Sequence, residues 1–360
     1  MLNFEGKTQI ISNLNMMKYK LLGKSGLRVA EISLGTMTFG QEWGTGADKE
    51  ESKKMFDIYA NQGGNFIDTA NRYTEGTSEK YVGEFIASDR DRFVVATKYT
   101  LYDRRDDINA CGNHRKNMMR SVESSLKRLG TEYIDLLWVH MWDETTPIEE
   151  VMKGLEDLVT SGKVHYIGIS DTPAWIVSKA NTLAELRGWS AFIGLQIEYS
   201  LIQRTAEREL IPMAHHFGMA ITPWSPLGAG MLTGKYNDGI PSSDVRLTEK
   251  SLKINERNRS IAKEVSAVAQ ELGVSPAQVA LNWLRQQHAQ IIPIIGGRKA
   301  SQIEDCLGCL NFTIPQEQMK RLTEISAIEL GFPHDFLNLP TVRVNVFGDN
   351  EEKLIYHRNS

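Results

Sequence analysis

Short apolar segments recur along the chain, and stretches with apolar positions at helical spacing fill the gaps between them. The segments are Ile32–Gly35, Asn65–Asp68, Phe93–Lys98, Ile134–His140, His165–Ser170, Phe192–Gln196, Ala220–Trp224 and Ile291–Ile295. Their mostly continuous apolar character predicts strands buried on both faces. Between them, Met118, Val122, Leu126 and Leu129 form one helical face closed by Gly130, and Ile261, Val265, Val268 and Leu272 form another closed by Gly273. Thr146-Pro147 with Glu149 predicts an N-cap, a first-turn proline and a capping box, with Gly162 ending that helix. Ser275-Pro276 starts a further helix. Eight such strands alternating with helices predict an α/β fold of the (β/α)8 TIM-barrel type. The alternative, a doubly wound sheet, lacks its Gly-x-Gly-x-x-Gly after the first strand.

Lys18–Val29, with Gly23-Lys-Ser-Gly26 at its centre, predicts a β-hairpin ahead of the barrel. Long polar loops, Tyr99–His114 and Tyr236–Asn255, follow the third and seventh strands and have the size of lids or binding loops. The chain therefore divides into an N-terminal extension (1–17), a barrel (18–330) and a C-terminal tail (331–360) with no legible period. Phe332–Phe336 in that tail is a candidate segment to close over a substrate.

Charge and composition narrow the function. The 41 basic and 45 acidic side chains leave a net charge of −4, which offers no broad attraction to nucleic acid or anionic membrane. No apolar run reaches the ~18 residues of a membrane span, and Met1–Met17 is too polar for a secretory signal. Three cysteines, Cys111, Cys306 and Cys309, argue for a reducing compartment, and the expected location is the cytoplasm. A small-molecule partner is expected, and homo-oligomerisation is left open.

In a barrel of this type the chemistry sits where the strands end. The predicted strands end in Asp68, Lys98, His140, Ser170, Gln196 and Trp224, and Tyr73 follows Asp68 in the next loop. Singly, each has a plain reading as a cap, a solvated residue or a core histidine. Together they suit carbonyl reduction. A phenol is a poor acid near neutrality, an ammonium beside it favours the phenolate, and a buried carboxylate holds that ammonium in place. An imidazole can orient the carbonyl oxygen, and hydride comes from a cofactor.

The ordered stretches Leu34-Gly-Thr-Met37, Phe66-Ile-Asp-Thr-Ala70 with Tyr73, Ala96-Thr-Lys98, Tyr133–His140, Gly168-Ile-Ser170, Trp224-Ser-Pro-Leu227 and Gly234-Lys-Tyr236 resemble the aldo-keto reductases. Gly168–Trp175 and Pro212–Met219 are more similar to the aryl-alcohol dehydrogenase branch. The resemblance implies Tyr73 as general acid/base, Lys98 and Asp68 as the pair lowering its pKa, and His140 as the carbonyl-orienting residue. It also implies a nicotinamide site at Gly35, Thr36, Met37, Asp68, Ser170 and Gln196, with Trp224 against the ring. Asp171 departs from the Asn of many relatives, and an anion there cannot donate to a carboxamide oxygen.

For the phosphate end, the small residues of Ser225, Pro226, Leu227, Gly228, Ala229 and Gly230 allow backbone N–H groups to approach a pyrophosphate, with Lys235 and Arg246 as clamps. Gly296-Gly-Arg-Lys leads into a helix, and Arg298 suits an adenosine 2′-phosphate, which favours NADP over NAD. The resemblance adds Gln302 and Asp305 near the adenosine, and Cys306 where relatives carry Asn. Cys306 and Cys309 read as buried small hydrophobes, and the histidines form no metal constellation.

Trp43, Tyr99, Tyr102, Met141 and Trp142 are the candidate substrate walls, suited to aryl aldehydes and alcohols. NADPH-dependent reduction of aldehydes or ketones, reversible with excess alcohol, is the expected activity. A cofactor-binding regulatory subunit similar to potassium-channel β subunits is the alternative, against which stands His140 where those proteins carry Asn. A carboxylate-pair hydrolase lacks its second acid. Substrate and physiological direction remain open.

Overall fold

The computed structural model describes residues 17–237, 239, 246–248, 250–287 and 290–355. Residues 1–16 of the predicted extension, most of 238–245 in the second long loop and the end of the tail lie outside them. A two-stranded antiparallel hairpin, β1 (Tyr19–Leu21) and β2 (Arg28–Ala30), precedes eight parallel strands. These are β3 (Ser33–Gly35), β4 (Phe66–Asp68), β5 (Val94–Tyr99), β6 (Ile134–Val139), β7 (Val164–Ser170), β8 (Gly194–Glu198), β9 (Ala220–Trp224) and β10 (Ile294–Ile295). Their order is β10-β3-β4-β5-β6-β7-β8-β9, and a parallel bridge between Ile221 and Ile291 brings the two edges together. The fold is the predicted (β/α)8 barrel.

Among the described residues, ten helices follow or flank the strands: α1 (Lys49–Asn61), α2 (Thr77–Ile86), α3 (Arg115–Leu129), α4 (Ile148–Thr160), α5 (Ala174–Arg187), α6 (Leu210–Phe217), α7 (Glu256–Leu272), α8 (Pro276–Arg285), α9 (Ala300–Leu307) and α10 (Gln316–Ile325). Gly130 and Gly273 close α3 and α7 in the left-handed conformation, and Ser275 caps α8, as predicted. The capping box at α4 is corrected. Its N-cap is Pro147, with no side-chain cap bond. Thr146 Oγ1 instead donates to Asp143 Oδ2 at 2.8 Å, and Glu149 pairs with Lys179. The Asp143 carboxylate also accepts from the amides of Asn113, Thr145 and Thr146, so it organises this turn in place of the threonine.

Alternation along each strand divides the residues between two layers. Phe66, Val94, Ala96, Leu136, Trp138, Ala220 and Ile292 pack inside the barrel, where Leu22 and Val29 of the hairpin segment join them. The intervening residues, such as Val95, Leu137, Ile167 and Leu195, pack outward against the helices. Trp138 fills the interior beside Gly168 and Gly194, where an added Cβ would lie 2.3 and 2.8 Å from its ring.

The tail, unread in the sequence, forms two short helices, α11 (His334–Leu337) and α12 (Pro340–Phe347). Neither buries a residue, so no burial period was there to find. Phe332 is largely exposed, and His334 Nε2 meets Glu209 at 3.1 Å. No helix among the described residues is long and apolar enough to cross a membrane.

Candidate active site

Asp68, Ser170 and Trp224 end their strands, Lys98 stands one residue before the end of β5, Gln196 stands two residues before the end of β8, and His140 follows β6 directly. Lys98 is fully buried, and its ammonium has three partners. It donates to Asp68 Oδ2 at 2.5 Å, to the Thr69 carbonyl at 2.8 Å and to the Tyr73 phenol oxygen at 3.1 Å. An ammonium has three donors and no acceptor, so the set is complete. Gln196 Nε2 donates to the other oxygen of Asp68 at 2.9 Å. The Asp68 carboxylate is thereby fixed from two sides.

Tyr73 is carried by a strained segment. Thr74 and Glu75 both have positive φ, 45° and 56°. The Thr74 hydroxyl holds the turn by donating to the Phe39 carbonyl and accepting from the Ser78 amide. Strain of this kind persists only where neighbours over-determine it. The Tyr73 ring meets His140 edge-on at 6.0 Å and Trp43 at 6.4 Å.

Burial shapes the titration. It raises the Tyr73 phenol above its ordinary value; the Lys98 charge pulls it down, and Asp68 adds to the rise. The Lys98 charge thus acts on the phenol in the expected direction, while burial and Asp68 act against it. Burial alone would lower Lys98, but Asp68 and then Tyr73 hold its ammonium above the usual value. Burial and then the Lys98 charge push His140 down to about 3, so its imidazole is neutral. Its Nδ1 is buried without a hydrogen-bond partner among the described residues.

The groove for a dinucleotide is less uniform. Ser225 and Ala229 have positive φ (52° and 58°), and Gly228 and Gly230 join them (58° and 92°). The amides of Gly228, Ala229 and Gly230 bond within the turn, to Ser225 O, Ser225 Oγ and Leu227 O. These are the amides that the small residues of this turn were expected to offer to a pyrophosphate. Pro226 is buried, and Leu227 packs between the two outer apolar layers. Lys235 lies over the Tyr236 ring. Partial desolvation and then the nearby Arg298 charge hold Arg246 below its ordinary value, so this predicted clamp and the arginine expected at the 2′-phosphate share one region. Gln302 Oε1 accepts from the Arg298 and Lys299 amides at the start of α9. Asp305 accepts from Gln278, and Gly296 is exposed. Cys306 is buried between α9 and α1, as a small hydrophobe would be, and burial pushes its thiol well up.

Residues 31–327 match the profile of the Aldo/keto reductase family. The chain belongs to that family. An aryl-alcohol dehydrogenase [NADP(+)] of Phanerodontia chrysosporium is 40% identical, covering 92% of this chain and 89% of its own. A norsolorinic acid reductase of Aspergillus flavus is 36% identical over 88% of this chain and 83% of its own. A putative aryl-alcohol dehydrogenase of Saccharomyces cerevisiae is 35% identical over 89% of each.

In this aldo/keto reductase several predicted contacts have other duties. Thr36 is buried, its hydroxyl donating to Asp68 O and meeting Ser78 Oγ, while Met37 is half-buried and a Cβ on Gly35 would strike Ile294. Ser170 is buried in register with Gln196, and Asp171 Oδ1 accepts from Trp224 Nε1 at 3.0 Å. Among the substrate walls, Trp43 stands beside Tyr73, Met141 is exposed and Trp142 packs on the outer layer. Tyr99 is corrected. It is the neighbour of inward-facing Lys98, so its ring faces the helices and its hydroxyl donates to Asn113 O. Tyr102 lies between Arg72 and Arg105, in the wall of a cavity that none of Tyr73, Lys98 or His140 lines.

Sequence reading missed Thr69, Thr74, Ser78 and Glu79. Glu79 is fully buried, accepting from Thr97 and Arg128, each at 2.5 Å. The run Thr77-Ser-Glu79 at a helix start right after Tyr73 was the available signal.

Proposed function

We propose that the chain reduces aldehydes or ketones to alcohols with NADPH, and that aryl aldehydes are its preferred class. The observation that carries this reading is the Lys98 ammonium, which donates to the Tyr73 oxygen while salt-bridged to Asp68. Because Lys98 occupies a lone pair of the phenol, the Tyr73 O–H is left to donate to a substrate carbonyl. As charge develops on that oxygen, Tyr73 passes its proton, and the buried ammonium stabilises the phenolate left behind. His140, a neutral imidazole, contributes its single N–H to orient the same oxygen.

The residues present fit a nicotinamide dinucleotide. Gln196 and Ser170 border the reacting centre with Trp224 and Asp171, and Arg246 and Arg298 converge on one region as a 2′-phosphate requires. Bound there, the cofactor supplies the hydride. The preference for NADPH rests on that arginine pair and is supported by the name of the Phanerodontia relative. Aryl substrates are supported by Trp43 beside Tyr73 and by the same relative's name.

The test is NADPH consumption with a panel of aromatic, aliphatic and dicarbonyl substrates, run beside Tyr73→Phe and NADH. Turnover with NADPH that falls at least ~100-fold in Tyr73→Phe is expected. Equal turnover by the variant would overturn the assignment of the acid, and tight cofactor binding without turnover would favour a regulatory role.

A further inference from the structure

Asp171 follows the last residue of β7, between Ser170 and the indole of Trp224. Its backbone is left-handed, with φ at 38°, a region that Asn and Asp tolerate better than other side chains. Its amide donates to the Gln196 carbonyl at 3.3 Å, and its Oδ1 accepts from Trp224 Nε1 at 3.0 Å. An asparagine could adopt that backbone and accept that bond equally well, since its side chain also offers a carbonyl oxygen. What a carboxylate adds is charge.

The cations near that charge are already matched. Lys98 is paired with Asp68, and Lys253 with Glu198, which lines the same cavity of about 320 Å³ as Asp171. Among the described residues the reacting end of the cleft is thus left with one unmatched charge, the carboxylate of Asp171. Partial desolvation raises that carboxyl above its ordinary value and Glu198 adds to the rise, while the Trp224 bond and Lys98 oppose it. Asp171 in turn adds to the rise that burial imposes on the Tyr73 phenol, so its charge is felt at the reacting oxygen.

We propose that Asp171 makes the cofactor site discriminate by redox state, binding the oxidised nicotinamide more tightly than the reduced one. Asp171 can act so only if the nicotinamide end lies against Ser170, Gln196 and Trp224, which is the reading of the site proposed for carbonyl reduction. An oxidised ring carries a positive charge that the reduced ring lacks, and the rest of the two cofactors is the same. An unmatched carboxylate beside the ring therefore attracts one form and is indifferent to the other, and in a partly desolvated cleft the attraction is screened less than in water. When the carbonyl carbon takes the hydride with its electron pair and Tyr73 supplies the proton, the positive charge appears on the ring that is left. By linkage, tighter binding of that product form shifts the equilibrium on the enzyme toward the alcohol by the same factor.

Calorimetric titration of wild type and Asp171→Asn with NADP⁺, NADPH and 2′,5′-ADP tests the proposal, at pH ~8 where a carboxyl is ionised. The variant keeps an acceptor for the indole, and any contact its amide makes with the carboxamide is common to both cofactors. The ratio of the two dissociation constants therefore isolates the charge on the ring. NADP⁺ is expected to bind ~10-fold more weakly to the variant, NADPH to change less than ~2-fold, and 2′,5′-ADP, which has no nicotinamide, to bind as before. A ratio that the substitution leaves unchanged overturns the proposal and spares the nicotinamide reading. So does a loss of NADP⁺ affinity that 2′,5′-ADP shares in full. Wild type that binds neither NADP⁺ nor NADPH overturns both.

Discussion

Lys98 donates to Tyr73 across 3.1 Å, and the direction of that bond separates the tyrosine's two functions. Its oxygen is held by an ammonium that cannot accept, so its hydrogen remains available to a substrate. The ammonium is itself kept charged by Asp68 at 2.5 Å, in a place where neither side chain reaches bulk water.

Removing one member of that pair should be worse than removing both. Lys98→Met leaves the Asp68 charge buried and uncompensated, a change that costs about 3–5 kcal/mol in comparable sites. Adding Asp68→Asn removes the stranded charge, so the double variant is expected to unfold at higher urea than Lys98→Met alone. Urea midpoints of wild type, both single variants and the double variant close the cycle. Additive losses would show that the two charges do not depend on each other. Carbonyl reduction should fall at least ~100-fold in Lys98→Met, whatever the stability outcome.

The two reaction directions should part company with pH. Reduction needs Tyr73 protonated, and burial raises its phenol, so reduction is expected to persist into the alkaline range. Oxidation of an alcohol needs the phenolate, so its kcat should climb with pH through that range. His140, pushed down to about 3, should contribute no inflection near its ordinary ~6.5. An inflection there that disappears in His140→Asn would refute the neutral imidazole. The same shift has a stability consequence. The unfolded imidazole takes up a proton near pH ~6.5 and the folded one only near 3, so stability is lost as pH falls through that window.

Asp68, Lys98 and His140 are legible in the sequence because each closes an apolar run, and barrel geometry gathers strand ends at one rim. The barrel is legible for the same reason: strands buried on both faces read as continuous apolar segments. Tyr99 misleads by one position, since a strand turns alternate residues to opposite faces and Lys98 already points inward. Cys306 is legible as a buried small hydrophobe, and it is buried. The pull of Lys98 on Tyr73 is legible because both residue types show in a sequence, while the opposing effect of burial needs the packed structure. The tail helices leave no pattern, since neither buries a residue.

The barrel interior makes a separate, purely steric prediction. Trp138 lies against Gly168 and Gly194, and a Cβ on Gly168 would come within 2.3 Å of the indole. Gly168→Ala should destabilise the protein by ~1–3 kcal/mol through overpacking, and Trp138→Phe added to it should recover part of that loss. Gly26→Ala is the control, because nothing lies within 4 Å of its added Cβ. Urea unfolding of the three variants decides the matter, and a Gly168→Ala midpoint no lower than that of Gly26→Ala would sink the steric account.

Cofactor choice should rest on the arginine pair. Arg298 lies close enough to depress Arg246 further, a like-charge arrangement that an anion between them relieves. Losing one charge-assisted phosphate contact costs ~1.5–3 kcal/mol, which converts to a rise of about 10- to 100-fold in the KM for NADPH. NADH has no 2′-phosphate, so its KM should change little in Arg298→Ala or Arg246→Ala. Steady-state kinetics with both cofactors measure the contrast directly. Equal losses for the two would mean that these arginines serve the fold or the pyrophosphate, and that discrimination between the cofactors lies elsewhere in the groove.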